Sequence, residues 1–149
     1  MNDSVLTPPV KEYLLAFADD EHLMGQQHTE WIGVAPFLEE DMAFASIGQD
    51  ELGHALMLYT LILECPSGID TYVFNRKSEE WRSCQLVEST HRRWEEALIR
   101  HWCYDMAEDL RWELFSDSSL PELISISERA LKEETYHRRH AEALSLIHI

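Results

Sequence analysis

QDELGHALMLYTLILECPSG, residues 49–68, decides how the rest of the chain folds. Glu51 and His54 are three positions apart, so on a helix both project from one face. Ile47, Leu58 and Leu61 recur on an apolar stripe at helical spacing. CPSG (65–68) is a turn cluster that ends the run, and Pro36 opens it, which predicts a helix over roughly 37–64. Upstream, Leu14, Phe17, Ala18, Met24 and Trp31-Ile32 keep the same period between Pro8-Pro9 and Gly33, predicting a helix over roughly 9–32. Downstream, residues 65–80 show no sustained period and read as a crossover. Trp94, Leu98, Trp102 and Trp112 mark a third helix over roughly 81–115. SDSS (116–119) and Pro121 then introduce a fourth, roughly 120–146.

Short loops within each pair and a long connection between the pairs predict an all-α, ferritin-like four-helix bundle, with one crossover between helices 2 and 3. The 149 residues suffice for one such domain, residues 1–149, with a sizeable core. Five Gly and five Pro are too few for the many turns of a sandwich or barrel.

The formal net charge of −16 argues against nucleic acid, which is bound by cations that displace counterions, and against an anionic membrane surface. No apolar run approaches a bilayer span. MNDSVLTPPV has neither a basic nor an apolar signal region. Cys65, Cys84 and Cys103 form no CxxC pair, which suits a reducing compartment. A cytoplasmic protein is the expectation. Residues 1–75 hold 13 acids and the single cation Lys11, whereas residues 76–149 hold 15 acids and 11 cations.

A second segment, KEETYH (132–137), repeats the pattern of the first: Asp50-Glu51-x-x-His54 and Glu133-Glu134-x-x-His137. With 19 Glu and 8 His, one such match is expected by chance, and a third does occur at Glu88-x-x-His91. Reflection through the hairpin loops separates them. Glu51/His54 reflects onto Glu21, on the stripe of Leu14, Phe17 and Met24. Glu134/His137 reflects close to Asp105, on the stripe of Trp94, Leu98, His101 and Trp112. Each hairpin therefore carries an acid, about thirty residues, then Glu-x-x-His. Glu88/His91 sits about 15 Å from that level at 1.5 Å per residue.

This is the inward-facing arrangement of carboxylate-bridged dinuclear iron or manganese sites. The candidate ligands are Glu21, Glu51, His54, Asp105, Glu134 and His137. Four carboxylates at one level of a core repel one another unless neutralised or bound to metal. Asp50 and Glu133, each four residues before the His of its own motif, are placed to accept that imidazole's outer N–H. His101 and Glu108 share the Asp105 face a turn away and read as supporting or polar core groups. His22, His28, His140 and His148 read as surface or core histidines.

The stretches LLAFADDEHLMG (14–25), EWIGVAPFLEEDMAFASIGQDELGHALMLY (30–59) and LKEETYHRRHAEAL (131–144) resemble the phenylacetyl-CoA epoxidase family of ferritin-like subunits. LLAFADD and EWIGVAPFLEED are similar to its structural subunits. QDELGH and KEETYH are similar to its catalytic ones, and all six ligand positions are filled. The resemblance implies a metal-competent protein holding two iron ions, with manganese possible. It implies an oxygen-activating component of a multicomponent monooxygenase that epoxidises the ring of an aryl-CoA thioester. It also implies a segment beyond the fourth helix that contributes to subunit contacts and substrate enclosure; the present sequence extends to Ile149. A ferritin-like protein handling iron or peroxide, and a non-catalytic structural subunit, are the competing readings.

No glycine fingerprint or cysteine cluster provides an electron input, so a separate reductase is expected. Arg100 and Arg138 are the candidate contacts for an anionic substrate. The acidic first half is free to meet a second copy or a related helical subunit in a hetero-complex.

Overall fold

The computed structural model describes residues 6–63, 68–90 and 92–148, with side chains through residue 144. The N-terminal five residues, Cys65 and most of the CPSG turn, His91 of the third Glu-x-x-His, and the His148 side chain lie outside the described residues. Pro8 and Pro9 start α1 (Pro8–Thr29), at positions where a missing N–H leaves no helical bond unmade. Its chain exit turns through Gly33, whose φ of 80° is the left-handed region open to glycine. Asp41 Oδ1, in the first turn of α2 (Leu38–Leu63), accepts the Gly33 and Ala35 N–H groups at 3.0 and 3.1 Å, fixing that turn.

α1 and α2 run antiparallel and pack closely because glycines meet at their crossing. A Cβ on Gly25 would stand 2.7 Å from Leu52 Cγ and 2.9 Å from the Gly48 carbonyl oxygen. The second hairpin pairs α5 (Trp94–Ser116) with α6 (Pro121–His148). Between the hairpins run α3 (Ile69–Phe74), a 3₁₀ turn (Ser78–Glu80) and α4 (Gln85–Glu88). The four long helices and single crossover make a ferritin-like bundle, with no strand among the described residues. No helix among them is long and apolar enough to cross a membrane.

The third long helix begins at Trp94, not at residue 81 as its sequence suggests. The intervening backbone is held by α1. Asp19 accepts the Arg82 N–H at 2.8 Å, and Asp20 accepts the Cys84 N–H at 2.7 Å. Val87 is buried with Met24 and Tyr104. Asp19 also receives both Arg76 guanidinium nitrogens (3.0 and 2.7 Å) and the Tyr59 hydroxyl (2.5 Å), while Arg111 reaches Asp20 at 2.8 Å. The Arg82 and Cys84 N–H groups thus find carboxylate acceptors on α1 in place of helical partners, so tertiary contacts override local propensity there. Cys84 and Cys103 are free thiols.

Apolar layers close both ends of the bundle. Leu14, Phe17, Leu58, Tyr59, Trp112 and Leu123 form the larger, and Phe44, Leu98 and Leu144 the other. The polar residues of interest lie between them.

Candidate metal centre

Each long helix contributes to one buried polar layer. α1 brings Glu21, α2 brings Glu51 and His54, α5 brings Asp105 and Glu108, and α6 brings Glu134 and His137; none is more than 1% exposed. Glu21, Glu51, His54 and Glu108 each offer a ligand atom within 4.8 Å of the others'. Asp105, Glu108 and Glu134 form a second group on the same criterion. His137 Nδ1 lies 3.0 Å from Glu134 Oε1, which attaches it to that second group.

Glu108 departs from the sequence reading, which left it a turn off the site. It is the residue common to both groups, and His54 Nδ1 is 3.4 Å from its Oε1. Reflection through a hairpin loop locates a level only to within about a turn. Asp105 and Glu108 are themselves three apart on one face, the same i, i+3 relation as in each Glu-x-x-His, and that spacing was the available signal.

The outer carboxylates also differ from expectation, because they cross between helices. Glu133 on α6 is 2.8 Å from Nε2 of His54 on α2, and Asp50 on α2 is 3.2 Å from Nε2 of His137 on α6. Neither serves the His of its own motif. An i−4 carboxylate on the same helix lies along the axis from its histidine, whereas the facing helix stands where each ring's outer edge points. With Nε2–H directed at a carboxylate, Nδ1 of each ring is the nitrogen turned inward, and it would become a lone-pair donor when a metal ion displaces its proton. His54 Nδ1 is 3.1 Å from Glu21 Oε2.

Two further donors brace the layer. The Tyr104 hydroxyl donates to Glu21 Oε1 at 2.5 Å, and Trp112 Nε1–H donates to Glu108 Oε1 at 2.8 Å. Arg100 and Arg138 do not face the site. Arg100 is 2% exposed and donates to the Gln27 side chain and to the Ser89 carbonyl at 2.9 Å, while Arg138 pairs with Asp109. Arg100 is thereby engaged within the protein, which argues against the anion-contact role read from its charge.

Seven carboxylate oxygens of the layer are buried without a hydrogen-bond partner: both of Glu51, Asp105 and Glu134, and Oε2 of Glu108. His137 Nδ1 likewise makes no aligned hydrogen bond, although it stands 3.0 Å from Glu134 Oε1 as an ion-pair contact. Burial, then the charge of Glu108, raises Glu21 to about 8. Burial and neighbouring carboxylates raise Glu51 and Glu134 well above the ordinary range. Burial alone would lower both histidines, but their carboxylate contacts outweigh it. His137 is raised to about 10, and His54 well above its ordinary value. Each unpartnered buried polar group costs roughly 1–3 kcal/mol. A hard-oxygen and imidazole donor set with free lone pairs turned to one centre fits divalent iron or manganese.

A four-helix bundle with a buried carboxylate–histidine layer whose donor atoms lie close enough to hold metal ions defines the class. Within it, the family model of the phenylacetic acid catabolic protein matches residues 2–147, and the chain belongs to that family. The chain is also similar to one of the subunits of the 1,2-phenylacetyl-CoA epoxidase of Escherichia coli strain K12. The two are 33% identical over 129 residues, 85% of this chain and 52% of that protein. The chain thus spans about half the length of the curated relative it matches.

Proposed function

We propose that this protein is a dinuclear iron-carboxylate subunit, with manganese as the alternative metal, of an oxygenase acting on an aryl-CoA thioester. Glu21, Glu51, His54 and Glu108 would hold one ion, and Asp105, Glu108, Glu134 and His137 the other. When bound, such a pair of ions supplies the redox chemistry that activates oxygen for insertion into an aromatic ring. The protein's part is position and exclusion of water. Tyr104 and Trp112 orient Glu21 and Glu108, and Glu133 and Asp50 fix the tautomers of His54 and His137. The apolar layers on both sides keep the centre dry. The observation that carries this reading is the set of unpartnered carboxylate oxygens in a fully buried layer.

A partner complex follows from the same logic. The relative is named as one subunit of an epoxidase, and the given sequence shows no glycine fingerprint or cysteine cluster of the kind that holds an electron carrier. A hetero-complex with related helical subunits and a separate reductase is therefore proposed, in the cytoplasm.

A non-catalytic structural subunit is the second reading. It draws on the pairing of His54 with Glu21 and Glu133, a partly self-satisfied ionic core. Metal analysis of protein from iron-supplemented cells decides between them. Two equivalents per chain, lost in Glu51→Ala and kept in Glu88→Ala, are expected. Fewer than one equivalent, or equal loss in both variants, refutes the proposal. Coupled oxidation of aryl-CoA thioesters with reductase then tests the oxygenase role against simple iron or peroxide handling.

A further inference from the structure

α5 carries an outward face that no other described element covers. Its exposed positions from 99 to 110 are Ile99, Trp102, Cys103, Met106, Ala107 and Leu110. None of them holds a charged, amide or hydroxyl side chain, and at 3.6 residues per turn all fall within about 140° of the helix circumference. The charged residues that interrupt the run are turned away. Arg100 donates to Gln27 and the Ser89 carbonyl, and Asp109 pairs with Arg138. The outer face of α6, by contrast, presents Glu128, Arg129, Lys132 and Arg139 to solvent, as a water-facing helix should.

Ile99, Trp102, Met106 and Leu110, with Leu114 one turn on, are 38 to 71% exposed. That leaves roughly 500 Å² of apolar surface on one helix, toward the upper end of what a soluble monomer carries. Two such faces pressed together bury about 1,000 Å², the area at which specific interfaces begin. The face is also self-complementary. Reflection about the midpoint of residues 104 and 105 exchanges Ile99 with Leu110, Trp102 with Ala107 and Cys103 with Met106, so apolar positions fall only on apolar positions. Two chains of net charge −16 can meet there without like charges in the contact centre. The ends complement each other as well. Arg92 and Arg93 lead into α5, and Glu113 and Asp117 lie at its far end, all exposed. Antiparallel pairing brings Arg92 level with Asp117 of the second copy, and Glu95, the acid nearest that copy's Glu113, is already paired with Arg93.

We propose that two copies of this chain pair through α5, antiparallel, about a two-fold axis level with the midpoint of residues 104 and 105. Ile99 packs against Leu110 of the second copy. Trp102 and Met106 share one flank of the face and Cys103 and Ala107 the other, and a two-fold axis sets each flank against itself. Trp102 therefore meets Met106 of the second copy. The two Cys103 residues lie three positions apart along the helix direction, ~4.5 Å at 1.5 Å per residue.

The test is sedimentation velocity of the full chain from about 1 to about 100 μM, at low salt and at ~1 M salt. A dimer should form and should persist at high salt, because its contact centre is uncharged. Met106→Glu should raise the dissociation constant at least tenfold. Val34→Glu, on the equally exposed apolar tip of the first hairpin, should leave it unchanged. Both side chains face solvent, so both variants should keep the helical far-UV spectrum of the unsubstituted protein. A short bis-maleimide gives a reading that needs neither variant: it should join two chains through Cys103, mapped by peptide analysis, and Cys103→Ser should abolish that product. A monomer throughout the range, a dimer that high salt dissociates, or a dimer that Met106→Glu leaves intact or Val34→Glu weakens equally overturns the proposal. So does a Cys103 that cross-links only to a related subunit.

Discussion

Glu51→Met exposes the conflict between stability and metal binding in the buried layer. Glu51 is wholly buried, both its oxygens lack partners, and Glu108, Glu21, Glu134 and Asp105 all oppose its ionisation. Methionine is close in volume and shape and leaves no polar atom to satisfy. Removing one unpartnered buried group is worth about 1–3 kcal/mol, and a chain of this length gains about 2–4 °C per kcal/mol, so Tm in chelator should rise by roughly 2–12 °C. With metal the difference narrows, and it reverses where the relieved polar penalty is below about 2.7 kcal/mol. An ion at a hundred times its Kd stabilises the unsubstituted fold by about 2.7 kcal/mol, a gain the variant forgoes. Calorimetry in EDTA and in excess Fe²⁺ or Mn²⁺ under anaerobic conditions measures both arms. A lower Tm than the unsubstituted protein in chelator, together with unchanged metal content, would refute the account of the layer as a strained, metal-directed core.

Other consequences follow from the same contacts. Glu21 is raised from 4.5 to about 8, so its contribution to stability is complete below 4.5 and lost as pH rises through 8. His137 is raised from 6.5 to about 10, and its contribution is complete below 6.5 and lost on the way to 10. Metal-free protein should therefore melt lower at pH 9 than at pH 6, while metal binding strengthens with pH as ligands shed protons. A metal-free Tm that climbs from pH 6 to 9 contradicts this. Asp19→Ala leaves Arg76 largely buried without its carboxylate, and urea unfolding should show a loss of about 3–5 kcal/mol; a loss under 1 kcal/mol would mean that the crossover is not held there. Gly25→Ala forces a methyl group against Leu52 and the Gly48 carbonyl, and should cost about 1–3 kcal/mol in the same assay. An unchanged midpoint would show that α1 and α2 separate freely.

The sequence alone determined the bundle and the level of its polar layer. Helical period is a local property, visible in stripes such as Leu14, Phe17 and Met24. A short loop makes position along one helix predict position along the next, which is how Glu21 could be matched to Glu51 and Asp105 to Glu134. Other features depended on tertiary structure, because they arise between elements distant in the chain. The start of α5 at Trp94 follows from Asp19 and Asp20 capturing the N–H groups of Arg82 and Cys84, an event more than sixty residues removed in sequence. The crossing of Glu133 to His54 and of Asp50 to His137 depends on how α2 and α6 face each other, which no single helix specifies. Glu108 rather than Asp105 joins the two groups of ligand atoms because a turn of helix decides which carboxylate reaches the axis. Arg100 points inward to Gln27 and Ser89 because a long cationic side chain on a buried face takes whatever acceptors packing leaves within reach.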